Sequence, residues 1–144
     1  MSKAFSKIIV PVDGSDFSKK AAKKAILLAK GSRIDILAML VVHFPLTECP
    51  ETDHEKMAPF GIERLKKEGE SVLKEIEDIG KNDGVVVKTK MVEGFPAQEI
   101  IKEARKNDLI IMGSKGISAL NRIFLGGVAE KVIHHSKSTV MIVR

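Results

Sequence analysis

Ile8-Ile9-Val10-Pro11-Val12-Asp13-Gly14-Ser15-Asp16-Phe17, with the lysine- and alanine-rich run that carries it on to Gly31, is the stretch that decides the fold class. Three consecutive β-favouring apolar residues read as a strand closed by Pro11. Asp13-Gly14-Ser15-Asp16 then supplies turn residues and helix N-cap candidates. Phe17, Ala21, Ala25, Leu28 and Ala29 recur three or four positions apart, the lysine pairs fall between them, and Gly31 is the expected stop. A short apolar strand, a tight turn and an amphipathic helix make the first half of a βαβ unit.

The same alternation continues outward. Ile34 to Val42 reads as a strand buried on both faces. Residues 43–60 are rich in Pro, Thr, Glu and Asp, and are expected to form a flexible or lid-like excursion. Ile62, Leu65, Gly69, Val72, Leu73, Ile76 and Ile79 keep helical period until Gly80, and Asn82-Asp83-Gly84 turns the chain into an alternating strand at Val85, Val87, Thr89 and Met91. Gly94-Phe95-Pro96 opens a helix carrying Ile100, Ile101 and Ala104. Asp108 to Met112 forms a buried strand. From Gly126 a helix with Val128, Val132 and Ile133 inward leads to a last strand, Thr139 to Val143. Five strands joined by right-handed helical crossovers predict an α/β fold: a single-domain (residues 1–144), open, doubly wound, five-stranded parallel sheet with helices on both faces.

Composition bounds the function. A chain of 144 residues, 44% hydrophobic and 30% charged, suits one globular domain that buries roughly 70% of its unfolded surface. No apolar run approaches the ~20 residues of a membrane span. No secretory signal precedes Ile8, so a cytoplasmic location without membrane contact is expected. The single Cys49 excludes a disulfide framework and a zinc ribbon. The net charge of +5 is carried by lysines spread over several segments and read as interleaved with acids; with no Trp or Tyr to stack bases, nucleic acid is not an expected partner.

Ligands of such sheets bind beyond the carboxyl ends of the strands. The chemistry is therefore sought in residues 11–15, 41–43 and 112–116. Gly113-Ser114-Lys115-Gly116 follows a buried strand, and Gly126-Gly127 precedes a helix. Two glycine loops converging there would offer backbone N–H groups and a positive helix end to a polyphosphate. The alternative is that these glycines serve turns and a close helix–strand contact. Neither G-x-x-x-x-G-K-[ST] nor G-x-G-x-x-G is present, which disfavours P-loop and dinucleotide enzymes. Asp13 has three readings: an acceptor for ribose hydroxyls, a holder of phosphate-bound metal, or an Asx-turn or cap. His43 would border the cleft. Cys49, Asp53 and His54 read as solvated, His134 and His135 as structural or exposed, and no catalytic base or acyl-transfer triad is assigned.

Taken together, Val10-Pro11-Val12-Asp13-Gly14-Ser15, Val41-Val42-His43, Gly94-Phe95-Pro96-Ala97, Gly113-x2-Gly116-x9-Gly126 and Ser138 to Val143 resemble the universal stress protein family over the whole chain. The resemblance implies a Rossmann-like sheet of the adenine nucleotide alpha hydrolase type, a homodimer through the final strand, and, in one branch, bound ATP with magnesium. It implies that Pro11, Val12 and Asp13 line the adenosine, with Asp13 at the ribose, and that Val41 contacts adenine. Met112, Gly113, Lys115, Gly116, Gly126, Gly127 and Val128 would surround the ribose and phosphates. The chain departs from that pattern at Gly127, where the family's ATP-binding pattern has a hydroxyl residue; Lys115 or Arg122 are candidates for compensating charge. The expected function is an ATP-binding stress-response or signalling module with at most slow hydrolysis. The alternative is a dimeric partner-binding protein without nucleotide. The apolar edge from Val140 to Val143 supports pairing between copies on its own account.

Overall fold

A computed structural model describes residues 4–43, 54–115 and 125–144. Its elements are β1 (Lys7–Pro11), α1 (Asp16–Ser32), β2 (Asp35–Val42), α2 (His54–Asn82), β3 (Val87–Glu93), α3 (Pro96–Glu103), β4 (Leu109–Gly113), α4 (Gly127–His135) and β5 (Thr139–Val143). Among the described residues the strands form one five-stranded sheet in the order β3-β2-β1-β4-β5. Every pairing is parallel, with Ile9 opposite both Leu37 and Ile110, Ile36 opposite Val87, and Ile110 opposite Val140. The expected doubly wound sheet is the observed one.

The central strands β1, β2 and β4 are apolar at successive positions because both faces are covered. Ile8, Val10, Ile36, Ala38, Leu40, Leu109 and Ile111 pack against Ala21, Ala22, Ala25, Ile26 and Ala29 of α1 and Leu73 and Ile76 of α2. On the opposite face Ile110 and Met112 meet Ala97 and Ile100 of α3 and Ala129 and Val132 of α4. Each buried isoleucine or valine contributes about 1.5–3 kcal/mol relative to exposure.

The structure revises several helix readings. In α1 Ile26 is buried alongside the alanines, whereas Leu28 is exposed; Ala25 to Ala29 is an unbroken apolar run, and periodicity alone does not say which part faces inward. Gly31 does not stop this helix. The chain continues to Ser32, and Arg33 takes the left-handed conformation (φ 56°), its N–H donating to Ala29 O at 2.9 Å, while Ser32 Oγ donates to Leu28 O at 2.8 Å. In α4 Val128 and Ile133 are exposed, and Ala129 shares the inner face with Val132. The small Ala129 permits α3 and α4 to pack closely, so a larger inward residue is not required there. α2 already begins at His54 and passes Gly80 to end at Asn82. The expected excursion over 43–60 is therefore shortened, because Glu55, Lys56, Met57 and Ala58 are good helix formers. β3 begins at Val87, since the Val85 N–H is taken by Gly80 O at 2.8 Å. Cys49 and Asp53 lie outside the described residues. No helix among the described residues is long and apolar enough to cross a membrane.

Away from the strands' carboxyl ends, Glu103 of α3 accepts from Lys90 Nζ at 2.7 Å and lies 3.8 Å from Lys7, which is itself 3.9 Å from the buried Asp108. The Lys90 hydrogen bond, aided by the charges of Lys90, Lys7 and Arg105, holds the Glu103 carboxyl below its ordinary value despite partial burial. A carboxylate whose folded pKa is depressed stabilises the fold above its unfolded pKa of about 4.3 and loses that contribution as pH falls through the lower folded value. Urea denaturation of Glu103→Gln should show a loss of about 0.5–1 kcal/mol at neutral pH that shrinks towards zero near pH 3.

Candidate functional site

The chain adds β2 and then β3 on one side of β1, then crosses to the other side to place β4 and β5. The order reverses between β1 and β4, and the crevice beyond their carboxyl ends is the switch point of an open parallel sheet. Residues 12–15 and 113–115 form its two lips.

On the first lip, Val12 N–H donates to Met39 O at 2.8 Å, and the Val12 side chain is buried under α1 and α2. Val12 therefore presents only backbone to the crevice. Asp13 is exposed, and its Oδ1 accepts the Ser15 N–H at 3.0 Å, an Asx-turn. Ser15 caps α1 by accepting the Ser18 N–H at 3.2 Å. The buried Ser18 completes the turn: its Oγ accepts the Asp13 N–H at 3.3 Å and donates to Ser15 O at 3.0 Å. The turn role of Asp13 is thus present, and it leaves the carboxylate at the surface.

On the second lip, Gly113 ends β4 against the first turn of α1. A Cβ placed on it would lie 2.7 Å from the Phe17 carbonyl carbon and 2.8 Å from Phe17 O. The close helix–strand contact considered for these glycines is real at Gly113. Beyond it, Ser114 N–H donates to Val143 O at 3.1 Å and Ser114 O accepts the Gly126 N–H at 2.7 Å. The two glycine loops do converge. Gly126 occupies the N-cap of α4 with no side-chain hydrogen bond, and a Cβ on Gly127 would meet nothing within 4 Å. Lys115 is only 8% exposed. Gly116 and Arg122 lie outside the described residues.

Pro11 and Val41 are half-buried, Met112 is buried against α3 and α4, and Val128 is exposed on the first turn of α4. Pro11, Val12, Asp13, Met112, Gly113 and Lys115 lie on or beside the lips, Gly126, Gly127 and Val128 at the adjoining α4 terminus, and Val41 one strand away on β2. His43 follows β2 and makes a tilted ring contact, 5.2 Å between centroids, with Phe95, which is 61% exposed; Gly94 N–H donates to Val42 O at 3.1 Å. Sequence reasoning left Ser18 and Phe95 unassigned. The Ser15-x-x-Ser18 spacing, an N-cap followed by a hydroxyl one turn on, was the available signal for the first. His134 and His135 are exposed, with His134 Nε2 4.0 Å from Glu130. Among the described residues no group of three His, Cys, Asp or Glu side chains is arranged to hold a metal ion.

The arrangement brings an exposed carboxylate, a polar turn and the amino end of a helix without a side-chain cap to one crevice. Residues 4–144 match the model of the universal stress protein family. This chain belongs to that family. It is 40% identical over 143 residues to universal stress protein MJ0531 of Methanocaldococcus jannaschii, covering 97% of this chain and 82% of the relative. The solved structure of protein MJ0577 superposes with a TM-score of 0.84 at 29% identity, covering 98% of this chain and 96% of that one; curated as a universal stress protein, it comes from the same organism. A universal stress protein in complex with cAMP superposes with a TM-score of 0.70 at 26% identity, covering 99% and 98%.

Substitutions at two positions separate structure from site. Gly113→Ala forces Phe17 backbone to move and should cost about 1–3 kcal/mol in chemical denaturation, so it reports packing before it reports binding. Asp13→Ala removes the Asx-turn acceptor and should cost about 0.5–1.5 kcal/mol, while Asp13→Asn keeps that acceptor and should stay within about 0.5 kcal/mol of the parent.

Proposed function

We propose that this universal stress protein binds ATP with magnesium in the crevice between β1 and β4, and works as a homodimeric, cytoplasmic stress-response or signalling module with at most slow hydrolysis. The observation that carries the reading is the Gly126 to Ser114 hydrogen bond, which fixes the α4 amino terminus beside the β4 lip. Unfilled N–H groups and the positive end of the helix dipole attract phosphate there. The cAMP complex of a relative supports an adenine nucleotide as the class of ligand. The glycine loop and helix terminus together favour a polyphosphate over a monophosphate.

In this reading Asp13 accepts from ribose hydroxyls or holds phosphate-bound magnesium, and Pro11, Val41 and Met112 border the adenosine. Gly113, Lys115, Gly116, Gly126, Gly127 and Val128 surround the phosphates, and the Lys115 charge offsets theirs. The exposed Asp13 carboxylate suits either role, because both need an oxygen acceptor at the surface. Dimerisation uses β5, an edge strand of the sheet. Gly127, which lacks the family's hydroxyl, favours the second reading, a partner-binding dimer without nucleotide.

Equilibrium dialysis with Mg-ATP decides between them. One nucleotide per chain is expected, weakened by Asp13→Asn. Gly127→Ser has open space for its side chain. Its hydroxyl should strengthen binding by roughly tenfold to a hundredfold, the equivalent of a hydrogen bond to a charged acceptor worth about 1.5–3 kcal/mol. No binding at millimolar ATP by either protein overturns the proposal in favour of the partner-binding dimer.

A further inference from the structure

The exposed side of α1 differs from that of α2. On α2 three lysines are paired, Lys66 with Glu93, Lys74 with Asp78 and Lys81 with Glu77, and Lys67 has Glu63, Glu68 and Glu70 near it on the same helix. Between Phe17 and Ile34 the sequence contains no Asp or Glu at all. The interleaving of charges expected for every lysine-rich segment therefore fails on α1. Lys19 reaches Glu75 of α2 at 3.3 Å. Lys20, Lys23, Lys24 and Lys30 are exposed and make no ion pair among the described residues.

These four lysines surround an apolar residue. Leu27 is 60% exposed. Lys23 and Lys24 lie four and three positions before it and Lys30 three positions after it, so all share its side of the helix, with Lys20 two turns back. The patch runs about 15 Å along the helix. Solvation alone accounts for the lysines but gives no reason for a leucine at their centre.

We infer that this face of α1 docks an acidic protein segment, a helix or extended peptide carrying carboxylates around one apolar side chain that packs on Leu27. Charge complementarity selects the acidic character and Leu27 supplies the anchor. A membrane fits less well, because the apolar stripe of α1 is already buried in the core, and Leu27 with the less exposed Leu28 offers little to insert. A nucleic acid backbone would use the lysines and gain nothing from the leucine.

The test uses the full chain and a fluorescent peptide of about 15 residues, helical by design, with glutamates three and four positions either side of one leucine. Anisotropy at low salt should show binding that falls about tenfold or more in the double variant Lys23→Glu, Lys24→Glu. Leu27→Ser in the protein, or Leu→Ser in the peptide, should also weaken it about tenfold. Lys67→Glu, on the exposed side of α2, should bind as the parent does. All of these positions are exposed, and circular dichroism should show unchanged folding. No binding by the parent overturns the inference, as does an equal loss in Lys67→Glu or indifference to Leu27→Ser. It is also overturned if an oligo(dA) strand or phosphatidylserine vesicles bind more tightly than the peptide with the same lysine dependence.

Discussion

At Gly113 the carboxyl end of β4 runs against the backbone of the first turn of α1 with no side chain between them. Much else follows from that approach. It sets the height at which α1 crosses the sheet, and hence where the Ser15 cap and the Asp13 turn stand relative to the β4 loop. A methyl group at this position would push the helix outward by pressing on backbone, which cannot rotate away as a side-chain tip does. With α1 seated, Ala21, Ala22, Ala25 and Ala29 bury almost completely on the strands. Their small size lets the helix lie close, and Ile26 fills the width that alanines leave.

Parallel strands joined by right-handed crossovers aim every crossover helix the same way, with its amino end at the carboxyl edge of the sheet. The positive helix ends therefore gather at one rim whatever the side chains are. Side chains decide which of those ends is occupied from within. Ser15 fills the end of α1. Gly126 puts no side chain on the end of α4, while its own N–H is held by Ser114 O. The crevice is asymmetric for that reason: one helix end carries the polar turn of Asp13, Ser15 and Ser18, and the other presents backbone donors beside the second lip.

The strands and their doubly wound, parallel arrangement were legible because each buried strand is a short apolar run bounded by turn residues, and because alternating strands and helices leave few right-handed arrangements; the strand order came from the structure. The crevice at the carboxyl edge was legible for the same reason. Helix faces were less so. Where apolar residues are consecutive, as in Ala25 to Ala29, or come in adjacent pairs, as Val128-Ala129 and Val132-Ile133 do, two inward faces satisfy the period and only the neighbouring helix chooses. Helix ends were hidden too. The stop of α1 depends on Arg33 adopting a left-handed conformation, which a nearby glycine seemed better suited to take. At the site, Asp13 showed as a polar turn residue, but its bond to Ser15 and the buried hydroxyl of Ser18 depend on atomic distances that no residue pattern specifies. Gly113 is the instructive case, for a glycine in a phosphate-type loop turned out to be required by packing.

Two regions of positive potential on this chain differ in physical origin. At the rim of the sheet it comes from peptide dipoles and from a lysine, Lys115, that the fold has withdrawn from water; such charge acts over a turn of helix and is weakly screened inside a crevice. Along α1 it comes from extended side chains in bulk solvent, where the Debye length at physiological salt, about 8 Å, leaves little of it to be felt at the rim. Salt should therefore weaken an interaction at the α1 face more steeply than one in the crevice, even when both ligands carry the same charge. Both surfaces adjoin one helix, α1. The Asp13 turn and Ser15 cap belong to its amino end, and the lysines to the turns that follow.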